Sequence, residues 1–284
     1  MLVTLKEVLQ DAKQKKYGVG LFNTVNLEMA KGVLAAAEES RSPVIIGTAE
    51  VLLPFASLDD LAALLIPLAK KCTVPVVVHF DHGLTKEVIL HAMDLGFTSI
   101  MYDCSTLNFD DNCTAVANIV KAAHIRGVTV EGELGHVGAN EGNAEETSSG
   151  NCDSSIYTDP QEALDFYNAT GVDALAVAIG TAHGAYQSTP KLDFERLRTI
   201  ASMVPVPIVL HGGSGLTDQD FKKSIACGVS KINIFTDINC AAAKAAHDQY
   251  RNNCGITDLM PKITEAVKQE ALKKIKVFGS YGRS

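Results

Sequence analysis

Residues 74–83 read VPVVVHFDHG, an apolar run that ends in His79, Asp81 and His82 before a glycine. A run of valines behind a proline reads as a buried strand. An acid between two imidazoles at the end of such a strand is costly to bury unless something pairs with it. The partner must come from elsewhere in the chain.

Short apolar runs of the same kind recur on both sides. They are YGVGLFN near residue 20, PVIIG near 45, TSIMYD near 100, VTVEGEL near 130, DALAVAIG near 176, VPIVLHG near 209 and SKINIF near 232, so eight strands are expected. Between them LEMAKGVLAAAEES, LDDLAALLIPLAKK, TKEVILHAMDLG, FDDNCTAVANIVKAAHIRG, PQEALDFYNATG and FERLRTIASM space their apolar residues at the helical period. Several open on Asp, Thr or Asn and several close on Gly, as capped helices do. Strands alternating with helices imply βαβ units and a parallel sheet. Eight units predict an α/β fold: one (β/α)8 TIM barrel, a single domain over residues 1–284. The segment LMPKITEAVKQEALKKIKVFGSYGRS adds a C-terminal helix and a short tail. An open doubly wound sheet is the other architecture, but no GxGxxG follows the first strand. Residues 138–155, GANEGNAEETSSGNCDSS, are polar and read as a long loop after strand five, of a length usually functional or disordered.

Composition narrows the function classes. The 284 residues are 46% hydrophobic and 20% charged, enough for a sizeable core. A net charge of −8, with only short basic runs, argues against nucleic acid as a partner. The longest apolar run, LAALLIPLA, is far below a membrane span, and MLVTLKEVLQDAKQKK reads as an amphipathic helix rather than a signal peptide. Seven cysteines, an odd number without a CxxC pair, argue against a disulfide framework or thiolate zinc site and for a reduced, cytoplasmic compartment.

Polar residues close nearly every strand: Asp81 and His82, Asp103, Glu131 and Glu133, His183 in GTAHG, His211 in LHGGSG, and Asn233 in INIFTD. In a parallel barrel those ends share one mouth, where barrel enzymes place their sites. The missing partner of the opening cluster is then a metal ion. His82, His183 and His211 come from three strands, and three neutral imidazoles with an open position make a zinc-type catalytic site; other divalent metals stay open. His79 reads as a supporting group outside the metal site. HGGSG at 211–215 precedes a helix, so its backbone N–H groups can cradle an anion beside Asn233 and Thr236. Lys231 begins strand eight at the end away from the mouth.

VPVVVHFDHG and VEGELGHVGANE resemble the two signature stretches of the metal-dependent, class II fructose-bisphosphate aldolase family, and GTAHG, LHGGSG and INIFTD match its later motifs in order and spacing. The family includes tagatose-bisphosphate aldolases and related ketose-bisphosphate aldolases. The resemblance implies a catalytic Zn2+ on His82, His183 and His211, and Asp81 as proton donor or acceptor on the aldehyde-derived hydroxyl. It places a second divalent metal at Asp103 and Glu133 and leaves room for a monovalent cation. It assigns Gly184, Gly212, Gly213, Ser214, Asn233 and Thr236 to the dihydroxyacetone phosphate half. Glu141 falls where the family has a loop acid that moves the proton at the enolising carbon. A sugar phosphate partner and a homodimer or homotetramer are implied too. Strand two ends Gly47-Thr48-Ala49 and the late arginines are Arg251 and Arg283, so a grip on a second phosphate, and with it the aldehyde, stays open. A metal hydrolase would usually carry a His-x-His pair where strand one ends Phe22-Asn23, and a non-catalytic companion subunit should have lost ligands this chain keeps.

Overall fold

The computed structural model describes residues 1–135, 138–139, 157–183 and 190–284; of 138, 139 and 183 only the backbone is described. Parallel strands β1 (Val19–Asn23), β2 (Val44–Ala49), β3 (Val76–Gly83), β4 (Ser99–Tyr102), β5 (Thr129–Leu134), β7 (Ala174–Val177), β9 (Ile208–Leu210) and β10 (Val229–Ile234) close into a barrel, with β10 pairing back onto β1. The two-residue strands β6 (Gly138–Ala139) and β8 (Ala182–His183) pair with each other. The expected (β/α)8 barrel is thus the observed fold, with α10 (Ile256–Phe278) as the additional C-terminal helix, packed against α2 (Leu27–Ser40) and α9 (Thr236–Gln249).

Period-two alternation divides the core into two parts. Val44, Ile46, Val76, Val78, Phe80, Val130, Leu175, Leu210 and Ile232 face the surrounding helices. Val19, Leu21, Ile45, Val77, Ala174, Ala176 and Val209 face the interior and pack on Leu5, Val8, Leu9 and Ala12 of α1 (Leu5–Lys15). These interior residues lie early in their strands, so α1 closes the end at which the strands begin. Thr4 and Glu7 form a capping box that starts α1 there. Burying Leu5, Val8 and Leu9 stabilises by roughly 1.5–3 kcal/mol each, and an aspartate at Leu9 would open this floor.

Further along the same strands the interior turns ionic. His79, Asp81, Glu131, Glu133, His211, Lys231 and Asn233 are all buried. The sequence pattern did not single out α9. Its apolar content is mostly alanine, which leaves a weak helical stripe; tertiary packing against α10 supplies what the pattern lacks.

Candidate active site

Strict alternation along β3 would send Asp81 inward and His82 outward. The structure brings both to the mouth. The β3–β4 register shifts between Phe80 and Gly83, and His82 has φ 40°. A left-handed backbone costs a non-glycine residue roughly 1–2 kcal/mol, and such strain gathers at functional positions. The next residues are pinned by Glu50, whose carboxylate accepts from Leu84 N at 2.7 Å, Thr85 N at 3.1 Å and Thr85 Oγ1 at 3.0 Å.

His82 Nε2 faces His211 Nδ1 at 2.7 Å, with the two rings edge-to-face at 88°. The other nitrogen of each ring is held by a carboxylate. His82 Nδ1 lies 2.7 Å from Asp103 Oδ2, and His211 Nε2 lies 2.8 Å from Glu131 Oε1. Asp103 is itself fixed, its Oδ1 accepting from Ser105 N at 3.1 Å and Ser105 Oγ at 2.7 Å. Carboxylates behind imidazoles orient the rings and set which nitrogen offers its lone pair, the arrangement found around metal-binding histidines. Burial opposes charge on His82, but Asp81, the Asp103 hydrogen bond and Glu133 outweigh it and push its pKa up to about 9. Burial and the His82 charge hold His211 below its usual value, so that ring stays neutral and offers a lone pair.

Asp81 sits against this pair. Its Oδ2 accepts from Asn23 Nδ2 at 2.8 Å and from Asn233 Nδ2 at 3.0 Å. Its Oδ1 lies 3.5 Å from His79 Nε2 and 3.9 Å from Lys231 Nζ. Burial works to protonate it, but the His82 and Lys231 charges and the His79 hydrogen bond hold it well below the usual carboxylate range. His79 is turned away from the mouth, its Nδ1 2.7 Å from Ser99 Oγ. Glu133 Oε2 lies 3.7 Å from His211 Nδ1.

Three overlapping groups have donor atoms within 4.8 Å of one another: Asp81, His82 and His211; His82, Asp103 and Glu133; and, deeper, His79, Asp81 and Glu131, whose two carboxylates already face Lys231 Nζ. Imidazole nitrogens with carboxylate oxygens suit zinc and its neighbours in the first transition row. The backbone of His183 pairs with Ala139 in the short sheet. A Cβ built on Gly212 would meet the Ala182 carbonyl oxygen at 2.4 Å, so the GTAHG backbone runs directly against the residue after His211. Glu141 and Gly184 lie outside the described residues.

The glycine loop abuts β10 and the start of α9. Gly212 has φ +64°, and a Cβ on Gly213 would meet the Asn233 carbonyl oxygen at 2.7 Å. Ser214 Oγ accepts from Phe235 N at 3.3 Å. Thr236 is the first residue of α9, whose N-terminus has no side-chain cap among the described residues. A helix start of that kind, beside a close-packed glycine turn, suits an anion.

Two buried groups were not given roles from the sequence. Glu131 holds His211, and Asn23 holds Asp81. Lys231 also differs from its expected place. It is the third residue of β10 and points inward on the face of Asn233, so its long side chain reaches Glu131 and Asp81 inside the barrel. The alternation of VTVEGEL and SKINIF carries that signal, because Glu131 shares a face with Glu133 and Lys231 with Asn233.

A closed parallel barrel with imidazoles, carboxylates and a glycine turn beside an uncapped helix start at one mouth defines a barrel enzyme with a candidate metal centre. Residues 3–283 match the family model described as fructose-bisphosphate aldolase class-II, and the chain belongs to that family. It is therefore a lyase of a metal-dependent aldolase family. The chain is 42% identical over 284 residues to the uncharacterized protein YdjI of Escherichia coli, covering 100% of both. It is 38% identical over 291 aligned positions to a fructose-bisphosphate aldolase of Staphylococcus aureus, covering 100% of this chain and 99% of that one. The crystal structure of the YdjI aldolase from Escherichia coli superposes with a TM-score of 0.89 at 39% identity, covering 100% of this chain and 99% of that one. No helix among the described residues is long and apolar enough to cross a membrane.

Proposed function

We propose that the protein is a zinc-dependent aldolase that reversibly cleaves a ketose 1,6-bisphosphate of the fructose or tagatose type to dihydroxyacetone phosphate and an aldehyde. The observation that carries this reading is the facing of His82 Nε2 and His211 Nδ1 at 2.7 Å with the Asp81 carboxylate beside them. His82, His211 and His183 are the groups that would hold the zinc, with Asp103 and Glu133 available to a second divalent position. A divalent cation there supplies positive charge against the negative charge that develops on the substrate's carbonyl oxygen.

The chain's own residues do the rest. In the cleavage direction Asp81, held ionised, takes the proton from the hydroxyl that becomes the aldehyde oxygen as the carbon–carbon bond breaks. It returns that proton in synthesis. Asn23 and Asn233 keep its oxygens aimed by donating to them. Gly184, Gly212, Gly213, Ser214, Asn233 and Thr236 hold the dihydroxyacetone phosphate half. Glu141 delivers the proton to the carbon left behind.

A second reading, cleavage to a different and unphosphorylated aldehyde, is favoured by the end of β2. Thr48 and Ala49 are buried there, and the next residue, Glu50, places a carboxylate beside Leu84 and Thr85 rather than a cation. We read the assembly as a homodimer or homotetramer paired through the C-terminal helices; a monomeric mass in light scattering would overturn that.

The test is metal analysis joined to a condensation screen of dihydroxyacetone phosphate with aldehydes, including glyceraldehyde 3-phosphate and unphosphorylated sugars. Turnover that disappears on chelation and returns with Zn2+ is expected. Full turnover after strong chelation, or none with any aldehyde in the metal-loaded protein, would overturn the proposal.

A further inference from the structure

We propose that Lys231 is a positioning residue that fixes His211, through Glu131, and Asp81 from one buried cation beneath both; this role rests on the aldolase reading above. Lys231 is fully buried inside the barrel. Its Nζ lies 3.0 Å from Glu131 Oε1, 2.8 Å from Oε2 and 3.9 Å from Asp81 Oδ1. Glu131 Oε1 also accepts from His211 Nε2 at 2.8 Å. One ammonium thus grips both oxygens of the carboxylate that holds a candidate metal ligand, and it stands beside the candidate acid–base group.

The grip has a directional consequence. With Oε1 accepting from both Lys231 and His211 and Oε2 in ion-pair contact with the same ammonium, rotation of the Glu131 carboxylate is opposed and its Oε1 lone pair stays aimed at His211. His211 must then carry its proton on Nε2, which leaves the Nδ1 lone pair facing His82. A carboxylate behind a ligating imidazole fixes tautomer and ring orientation, and losing such support typically weakens metal binding or activity by roughly 10–100-fold. On the other side, Lys231 and His79 attract Oδ1 of Asp81, while Asn23 donates to Oδ2 and Asn233 to both oxygens. The ammonium lies below Asp81 and between two carboxylates, which suits an anchor rather than an amine offered to substrate.

The competing account is an ion pair that merely holds the barrel together. Buried pairs of that kind can often be replaced by uncharged groups at little cost. The two accounts separate on the metal. Metal-stripped wild type, Lys231→Met and the double variant Lys231→Met/Glu131→Gln are titrated with Co2+, and its visible absorption is read alongside steady-state kinetics on a ketose phosphate at saturating Co2+. The double variant removes both charges of the pair, so it carries the test if Lys231→Met does not fold. We expect Co2+ affinity to fall about 10–100-fold, the absorption band to change, kcat to fall about 10–100-fold and KM to stay within about twofold. A folded variant with wild-type Co2+ affinity, spectrum and kcat, changed only in melting temperature, would overturn the positioning role. If wild type binds Co2+ yet turns over no ketose phosphate, the aldolase reading fails instead, and the Co2+ comparison still judges Lys231.

Discussion

His82 and His211, 129 residues apart in the chain, bring ring nitrogens to 2.7 Å of each other across the barrel mouth. Neither ring is free to turn, because Asp103 stands behind one and Glu131 behind the other. In the metal-free pair His82 carries the shared proton and His211 the lone pair. A cation that displaces that proton meets two ring nitrogens already aimed at one point, so the rings are oriented by folding rather than by binding.

Removing a ligand and removing the acid–base group should give different failures. Asp81→Ala should keep its metal and lose about 100- to 10,000-fold in kcat, the usual contribution of a placed acid–base group. His183→Ala should lose bound metal and turnover together. Metal analysis beside a retro-aldol assay checks both, and normal turnover in Asp81→Ala would show its assigned role to be wrong.

Chelation should also lower thermal stability. A cation that binds the folded protein and not the unfolded chain stabilises it by about 2.7 kcal/mol at one hundred times its dissociation constant. The melting temperature should rise with added Zn2+ in wild type and stay flat in a His82→Ala/His211→Ala double variant. A flat response in wild type would speak against a site formed by these rings.

The two glycines with positive φ at 171 and 212 should behave differently. Gly171 (φ +70°) ends α6 (Pro160–Thr170), and a methyl group added there would meet nothing within 4 Å among the described residues. Gly171→Ala should therefore cost only about 1 kcal/mol and leave turnover unchanged. Gly212→Ala meets the Ala182 carbonyl oxygen at 2.4 Å as well as the strain. It should displace the GTAHG backbone and reduce kcat. Denaturant unfolding and kinetics on both variants decide this.

Alkaline pH should expose a contact on the opposite end of the barrel. Tyr17 donates to Asp11 Oδ2 at 2.8 Å. Burial, then the hydrogen bond and charge of Asp11, raise its pKa above the ordinary tyrosine value. The raised folded value means its contribution is present in full below about pH 10, the unfolded value, and is lost as pH rises further. Tyr17→Phe should be about 1 kcal/mol less stable at pH 8, from the lost hydrogen bond, and the gap should close above pH 10. Paired urea melts at both pH values measure it.

Much of this architecture could be read from the chain alone. Apolar runs and helical spacing gave the barrel, because each strand buries both faces and each helix only one. Asp81, His82, His211 and Asn233 were legible because polar groups at strand ends have few reasons to be there. Lys231 and Glu131 were harder to place. Which residues of SKINIF and VTVEGEL meet inside the barrel depends on strand register and on how far a lysine chain reaches, and neither is local. The turn at His82 was equally hidden, since alternation predicts the opposite direction for its ring and only the shifted β3–β4 pairing reverses it.

The left-handed backbone at His82 sets folding and chemistry against each other at one codon. Screening metal-free protein for heat tolerance would credit His82→Gly with about 1 kcal/mol of relaxed backbone against its lost Asp103 contact, and would not register that half of the facing imidazole pair is gone. Any stabilisation campaign on this protein therefore needs position 82 held constant, or a selection that scores turnover in the same round.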